Sequence, residues 1–319
     1  MVRIRSPYVI VAAAVLGVAM LVPAATLMAQ AQFQFIVSAT DAQGAPVSDV
    51  TAKDVLMSEN NVANQIVKVE PYRVPVKLTI AIDNGPLSAE PLAHYRTGLT
   101  AMIKALPPEV EVTIIATAPQ PRMVVRPTLD RTQILRGVNG FAPEQESPRF
   151  TDTLVEFSKR YQKELEDTKK ADSLPVLVMV STTANEASSY QVPEIQKALG
   201  FLQARKAKVY VTMIPGRRSD AVTADVASLN DINTNRQALI AIPATKATGG
   251  RFEALAASSR LATLLPEFGE EIAALHRKHY NQWLVTAQRQ PGLTGPLQNP
   301  RIELARPGLT GAVSLDGLP

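Results

Sequence analysis

Four short apolar runs separated by helical patterns constrain the fold more than any other feature of this chain. The runs cover residues 76–82, 110–116, 175–180 and 208–214, and each is nearly continuously hydrophobic and rich in β-branched residues. Continuous hydrophobicity predicts strands that are covered on both faces, because a half-exposed strand alternates apolar with polar residues. Such strands separated by helices predict an α/β protein with a doubly wound, mostly parallel, Rossmann-like sheet and helices on both faces.

Apolar residues at helical spacing mark four helices between and after these strands. They span residues 92–106, 154–165, 192–202 and 261–275. The periodic stripe of each helix predicts one face packed on the sheet and one face in solvent. In a sheet of this kind, the carboxyl ends of the strands are the expected position of a functional site.

Two prolines predict departures from regular helices. Pro266 lies inside the last pattern, which we expect to be kinked or divided, with Ser258 or Ser259 as its N-cap. Pro243 interrupts the helical periodicity of residues 216–249. We expect that stretch to be irregular or an insertion.

The two flanks of the α/β region have a different character. Residues 32–73 and 279–319 contain short strand-like pieces separated by turn residues. Because the ends of a domain often lie close together, we expect the flanks to pair into a small β subdomain beside the main sheet. The chain therefore divides into an N-terminal β segment at 32–73, an α/β domain at 74–278 and a C-terminal β extension at 279–319.

The first 31 residues have the three parts of a signal peptide. A short positive region precedes an apolar run at 8–22, Pro23 breaks the run, and Ala29-Gln-Ala31 has the small residues that signal peptidase requires. The apolar stretch also approaches the ~20 residues of a membrane span, so an uncleaved anchor is the alternative. The leader predicts a bacterial protein that is exported to the periplasm or secreted, and that contacts a membrane only if the leader is retained.

The composition excludes several classes of function. The 319 residues contain no Cys, which excludes a disulfide scaffold, a thiolate zinc site and a Cys nucleophile. The 33 basic and 29 acidic residues give a formal charge of only +4, which argues against a nucleic-acid partner. The chain has no Gly-x-Ser-x-Gly elbow, no Walker loop and no His-Glu-x-x-His, so no motif favours an enzyme.

Two histidines at helical spacing raise the question of a metal pair. His276 and His279 are three residues apart near the end of the last predicted helix. Without a third His or a nearby acidic pattern, we interpret them as solvated residues at a helix C-terminus, where positive charge is favourable.

The order of several short motifs resembles a known family. Asp83 directly follows the first apolar run, and residues 151–153 (Thr-Asp-Thr) precede the second predicted helix. Outside this core, Gly44-Ala-Pro-Val-Ser-Asp49, Thr248-Gly-Gly250 and Arg306-Pro-Gly-Leu309 complete the series. Together these motifs resemble the von Willebrand factor type A domain, in particular a bacterial, acidobacterial-type family related to it. The resemblance covers nearly all of the chain after the leader.

This resemblance implies a metal-ion-dependent adhesion site at the strand ends. The family binds Mg²⁺ or Mn²⁺ through Asp-x-Ser-x-Ser, a Thr from a second loop and an Asp from a third, and leaves one position open for an acidic group of a partner protein. Asp83 matches the first Asp, and Thr151 or Thr153 matches the loop Thr.

The sequence departs from the family pattern at the other ligands. Gly85 and Leu87 occupy the positions of the two Ser, and Thr182 occupies the position of the third-loop Asp. The set that remains has a single carboxylate, whereas Mg²⁺ is dehydrated only reluctantly. Other oxygen-bearing residues in the same loops could complete a weak site: Ser88, Asp152 and Glu186.

We therefore interpret the chain as an exported, non-enzymatic protein–protein interaction module with a degenerate metal site and no required cofactor. Its partner would be another envelope or extracellular protein, held by the loops at the strand ends or by the stretch 216–235. The candidate binding residues of these loops are Asn84, Asp152, Thr182 and Glu186. Two alternatives remain open: a divalent-metal-dependent adhesion domain centred on Asp83, and a hydrolase on the same fold.

Overall fold

The computed structural model describes residues 31–168, 173–214, 232–293 and 295–314, and within them the chain forms two six-stranded sheets and six α-helices. The strands in chain order are β1 (Gln32–Thr40), β2 (Val55–Glu59), β3 (Val62–Tyr72), β4 (Val76–Ile82), β5 (Glu111–Ala116), β6 (Arg122–Thr128), β7 (Leu174–Thr182), β8 (Lys208–Ile214), β9 (Arg251–Ala254), β10 (Gln282–Gln288), β11 (Pro300–Leu304) and β12 (Thr310–Ser314). The helices are α1 (Leu92–Ala105), α2 (Arg131–Gly140), α3 (Phe150–Thr168), α4 (Val192–Ala204), α5 (Ile232–Thr248) and α6 (Leu261–Tyr280). The leader at 1–30 lies outside the described residues.

The central sheet has the strand order β6-β5-β4-β7-β8-β9. Its strands are parallel except for β6, which runs antiparallel to β5 at one edge. The four apolar runs of the sequence are β4, β5, β7 and β8, and every residue of β7 is buried, as expected for a strand covered on both faces. The prediction of a doubly wound, mostly parallel sheet is confirmed.

Helices cover both faces of this sheet. One face packs against α1, α2 and α6 through Leu99, Ile134 and Phe268, among others. The opposite face packs against α3, α4 and α5, with Leu154 and Leu202 fully buried there. The β subdomain adjoins the end of the central sheet at which β4 begins, because only three residues connect β3 to β4.

The flanking segments form the second sheet, as predicted. Its order is β11-β2-β3-β10-β1-β12, and all its pairs are antiparallel. Each of the three strands from the N-terminal flank thus pairs with at least one strand from the C-terminal flank, around a core that includes Phe35 and Trp283. Glu59 and Arg289 form an ion pair inside this unit, where their side chains are 0% and 6% exposed.

Three local predictions were wrong or incomplete. Helix α6 runs without a break across Pro266 and follows a 3-10 turn at Ser258–Arg260, so neither serine is its N-cap. The stretch 216–249 is not wholly irregular, because α5 occupies its second half and includes Pro243; residues 216–231 lie outside the described part. Strand β6 and helix α2 were not predicted. Among the described helices, none is long and apolar enough to cross a membrane.

Candidate functional site

Asp83 lies immediately after β4 and is bonded to the end of the neighbouring strand β7. Its Oδ2 accepts hydrogen bonds from the Thr182 backbone N–H at 3.0 Å and from the Thr182 hydroxyl. Its Oδ1 accepts one from the Gly85 N–H at 2.8 Å. The side chain is thus buried, with 2% of the residue exposed, and both of its oxygens are engaged within the protein.

Burial dominates the electrostatics at this position. It raises the pKa of Asp83, and the hydrogen bonds from Thr182 and Gly85 oppose that rise only in part. The neighbouring Tyr95 is fully enclosed, and its phenol pKa is raised first by burial and then by the charge of Asp83. Asp83 is therefore shielded from bulk solvent, and its ionised form depends on the donors that surround it.

A segment of the chain packs against the residues that directly follow Asp83. We call residues 141–149 the covering segment. The Glu144 N–H donates to the Asn84 carbonyl at 2.6 Å, and the Arg149 N–H donates to the Thr117 carbonyl at 3.1 Å. These bonds anchor the covering segment to the ends of β4 and β5.

The covering segment also explains why residue 85 is a glycine. A Cβ at position 85 would lie 2.9 Å from Pro148 Cδ and 3.2 Å from the Glu146 carbonyl oxygen. A serine at this position would therefore collide with the segment. The close approach of the covering segment therefore requires a residue without a side chain at position 85.

The candidate residues of the second loop mostly serve the helix that they begin. The Thr153 hydroxyl donates to the Arg149 carbonyl at 2.7 Å. The Asp152 carboxylate accepts the N–H groups of Ser189 and Tyr190 at 2.8 and 3.0 Å and faces the Arg149 guanidinium at 3.1 Å. Asp152 therefore clamps the loop that follows β7 onto the start of α3, and it is 5% exposed.

Glu186 occupies the N-terminus of α3. Its Oε1 accepts a hydrogen bond from the Thr151 N–H, and its Oε2 lies 3.8 Å from Arg236 Nε, while the side chain is 1% exposed. A carboxylate at this place is stabilised by the free N–H groups and the dipole of the helix. The Glu186 carboxylate thus occupies the N-terminus of α3, where an external anion could otherwise bind.

The side chains of the four binding candidates of the rim loops are all enclosed. Asn84 is fully buried, with its Oδ1 accepting the Ala118 N–H at 2.8 Å, and Thr182 is 1% exposed. With Asp152 and Glu186 also enclosed, none of these side chains is presented to solvent in this conformation.

Several enclosed polar atoms near the rim have no hydrogen-bond partner within the described chain. They include the hydroxyls of Ser88, Thr117 and Thr151 and the Asn84 Nδ2. Buried groups of this kind normally bind a partner or an ordered water.

The residues present do not make the donor set of the adhesion metal site. An octahedral Mg²⁺ requires several free oxygen ligands, usually with one or two carboxylates. Here the Asp83 carboxylate is engaged by three donors, and the described residues contain no group of three or more His, Cys, Asp or Glu that could hold a metal. The hydroxyls of Ser88 and Thr151 have no hydrogen-bond partner in the described chain.

The interpretation of His276 as a solvated residue was wrong. Its Nδ1 accepts the Val76 N–H at 3.2 Å, its ring stacks on Tyr280 with centroids 4.7 Å apart, and it is 2% exposed. Burial lowers its pKa, followed by the charge of Arg277, while Glu109 acts in the opposite direction. The helical spacing of the two histidines could not reveal which of them faces inward.

The strand order, the single antiparallel edge strand and the Asp at the end of the first central strand define a von Willebrand factor A-like fold. Solved structures of this type match the protein. A von Willebrand factor type A protein from Catenulispora acidiphila matches with a TM-score of 0.47 and 8% identity, over 89% of this chain and 73% of that one. The conserved hypothetical protein BatB from Bacteroides thetaiotaomicron matches with a TM-score of 0.44 and 12% identity, over 62% of this chain and 99% of that one. An aerotolerance-related membrane protein from Bacteroides fragilis matches with a TM-score of 0.40 and 10% identity, over 61% of this chain and 99% of that one. No family model and no curated protein matches the chain. At these identities the likeness concerns the fold alone.

The covering segment was the main feature that the sequence analysis missed. It has neither a hydrophobic period nor a motif, and its contacts with Asn84 and Thr117 join parts of the chain that are far apart in sequence. The only signal that could have revealed it is Gly85 itself, because a glycine in place of a ligating serine implies that something approaches the backbone closely.

Proposed function

We propose that this protein is an exported, non-enzymatic protein–protein interaction module that binds its partner without a divalent metal. The observation that carries the proposal is the state of Asp83, whose carboxylate is held by Thr182 and Gly85 and lies beneath the covering segment. A carboxylate engaged in this way acts as a structural link between two strand ends. The scaffold then recognises another envelope or extracellular protein by the shape and charge of its surface.

Partner retention in the presence of a chelator tests this proposal. The full chain, cross-linked in its native envelope and purified in Mg²⁺ or in EDTA, should retain the same partner in both conditions. A partner that is lost in EDTA and restored by Mn²⁺ would contradict metal independence. Sequencing the N-terminus of the mature protein tests export, since cleavage after Ala31 is expected.

The two unengaged hydroxyls favour one other candidate. Thr151 is one of the two residues that match the loop Thr, Ser88 lies one residue beyond the second Ser position, and the hydroxyls of both are enclosed without a partner in the described chain. If the covering segment moved away, these hydroxyls and Asp83 could meet a cation. A divalent-metal-dependent adhesion domain is therefore the second candidate. It requires that Asp83 exchange the hydrogen bond from the Thr182 hydroxyl for a metal ion.

A further inference from the structure

The chain contains two Asn-Gly dipeptides, and they lie in very different surroundings. They are Asn84-Gly85 and Asn139-Gly140. An asparagine before a glycine is prone to lose its side-chain amide in water, because the glycine has no side chain to hinder attack by its own backbone nitrogen on the preceding residue. In a folded protein, the reaction depends on how easily the two residues leave their native conformation.

Hydrogen bonds and packing hold the first pair, Asn84-Gly85, in place. Asn84 is fully buried, and its Oδ1 accepts the Ala118 N–H at 2.8 Å. The Gly85 N–H donates to Asp83 Oδ1 at 2.8 Å, and a Cβ on Gly85 would lie 2.9 Å from Pro148 Cδ. The Gly85 nitrogen therefore cannot turn toward the Asn84 side chain unless these contacts are broken.

The second pair, Asn139-Gly140, forms the C-terminal end of α2. Both residues are exposed, and a Cβ on Gly140 would meet no atom within 4 Å. Within the described chain, no hydrogen bond holds the Asn139 side chain. The helix ends directly after the pair, because Phe141 is extended with φ −64° and ψ 131°. The last turn of a helix opens at low cost, so this pair reaches other conformations easily.

We propose that Asn139 is a site of spontaneous deamidation. In the opened last turn, the Gly140 nitrogen attacks Cγ of Asn139 and gives up its proton to water. The Cγ–Nδ2 bond breaks, and the departing nitrogen takes up a proton and leaves as ammonia. Water then opens the resulting succinimide ring at one of its two carbonyls, which yields aspartate or isoaspartate at position 139. Water is the only co-reactant, and this inference goes beyond the proposed function without depending on it.

The place of Asn139 in the chain gives this reaction a structural consequence. The covering segment begins two residues later, at Phe141, which is 4% exposed. The Phe141 ring packs edge-on against Tyr95 with centroids 6.5 Å apart, and the Phe141 carbonyl accepts a hydrogen bond from Arg96 at 3.0 Å. An isoaspartate adds a carbon to the main chain just before this anchor, and a close-packed site does not absorb such a shift without loss. The reaction thus loosens the start of the covering segment.

Incubation of the full chain in mildly alkaline buffer, followed by peptide mapping with mass spectrometry, tests the inference. The peptide that contains Asn139 should show the mass change from amide to acid and should separate into aspartate and isoaspartate forms. Conversion at Asn139 should be roughly tenfold or more faster than at Asn84, because the buried pair must first break its contacts.

Two variants of the same pair are matched controls. Asn139→Gln keeps a side-chain amide but requires a larger ring, so it should remain unmodified. Gly140→Ala fits the open space beside α2 and should slow the conversion several-fold, because its methyl group hinders the attacking nitrogen. The Glu144 and Arg149 N–H groups, which anchor the covering segment, should exchange with solvent faster in the converted wild type than in incubated Asn139→Gln.

Two results would overturn the assignment of the site. One is an intact Asn139 under conditions that convert a synthetic peptide of residues 131–145, and the other is equal conversion at Asn84 and Asn139. Equal hydrogen exchange in the converted wild type and incubated Asn139→Gln would overturn the link to the covering segment.

Discussion

At the scale of single residues, Asp83 receives most of its hydrogen bonds from one threonine. The Thr182 hydroxyl and N–H both donate to Oδ2, and only the third donor, the Gly85 N–H, belongs to another residue. The link joins the ends of β4 and β7 at the centre of the sheet.

Removing the Thr182 hydroxyl should destabilise the protein. Thr182→Val leaves a buried carboxylate with one donor fewer, which should lower the free energy of unfolding by about 1–3 kcal/mol in denaturant titration. The loss should increase as the pH rises through the raised pKa of Asp83, because the ionised form is the one that needs the donor.

A second buried strand threonine provides the control. The Thr212 hydroxyl is enclosed and has no hydrogen-bond partner in the described chain, so Thr212→Val should be neutral or stabilising. Equal losses in the two variants would show that the hydrogen bond to Asp83 contributes no more than packing does.

At the scale of elements, α1 and α6 pack so closely that two glycines are required between them. A Cβ at Gly98 would lie 2.5 Å from the Leu261 carbonyl oxygen, and one at Gly269 would lie 2.9 Å from the Met102 carbonyl oxygen. Backbone atoms cannot move aside as the end of a flexible side chain can. These contacts determine how closely α6 approaches α1.

The two glycines Gly98 and Gly200 should therefore respond oppositely to alanine. Gly98→Ala should destabilise the protein by about 1–3 kcal/mol or more, because the helices must separate. Gly200 in α4 has open space around it, so Gly200→Ala should stabilise by up to about 1 kcal/mol through helix propensity. Thermal unfolding measures both, and a stable Gly98→Ala variant would contradict the packing.

The elements that could be predicted are those that bury a continuous apolar run. Strands β4, β5, β7 and β8 were found because both of their faces are covered. Edge strand β6 escaped prediction because Arg122, Arg126 and Pro127 interrupt its apolar pattern. Such residues are usual at a sheet edge, where unpaired backbone must be protected from other strands.

Helix α5 and the covering segment escaped prediction for different reasons. Pro243 was interpreted as a helix breaker, yet α5 continues through it and its buried face is still satisfied by Ala241 and Ala244. Tertiary packing thus outweighs the loss of one hydrogen bond. The covering segment depends on contacts distant in sequence, which no local pattern encodes.

At the scale of the whole molecule, the chain passes between the two sheets where β3 leads into β4 and where α6 leads into β10, and hydrogen bonds join these two connections. The Val74 N–H donates to the His279 carbonyl at 3.2 Å, Arg73 donates to the Tyr280 carbonyl at 2.8 Å, and Val76 donates to the His276 ring. The last bond requires an unprotonated Nδ1. Protonation would place two donors face to face at the junction.

Acidification should therefore weaken the fold through His276. Its folded pKa is lowered from the ordinary 6.5, so the unfolded chain takes up the proton first, and stability is lost as the pH falls below about 6.5. His276→Asn keeps an acceptor but cannot titrate, so its melting temperature should fall less steeply between pH 7 and pH 5 (roughly the range of His titration).

His279 supplies a comparison, because burial also lowers its pKa whereas the hydrogen bond from Val76 goes to the His276 ring. His279→Asn should leave in place the pH dependence that comes from the junction. If His276→Asn and the wild type lose stability in parallel, the junction is not sensitive to this proton.

The central claim is that Asp83 is a structural link and not a metal ligand, and metal-dependent thermal stability tests it most directly. The full chain should melt at one temperature in EDTA, Mg²⁺ and Mn²⁺, because only an ion bound to the folded state raises stability by mass action. A rise in melting temperature with Mn²⁺ that Asp83→Asn abolishes would contradict the account.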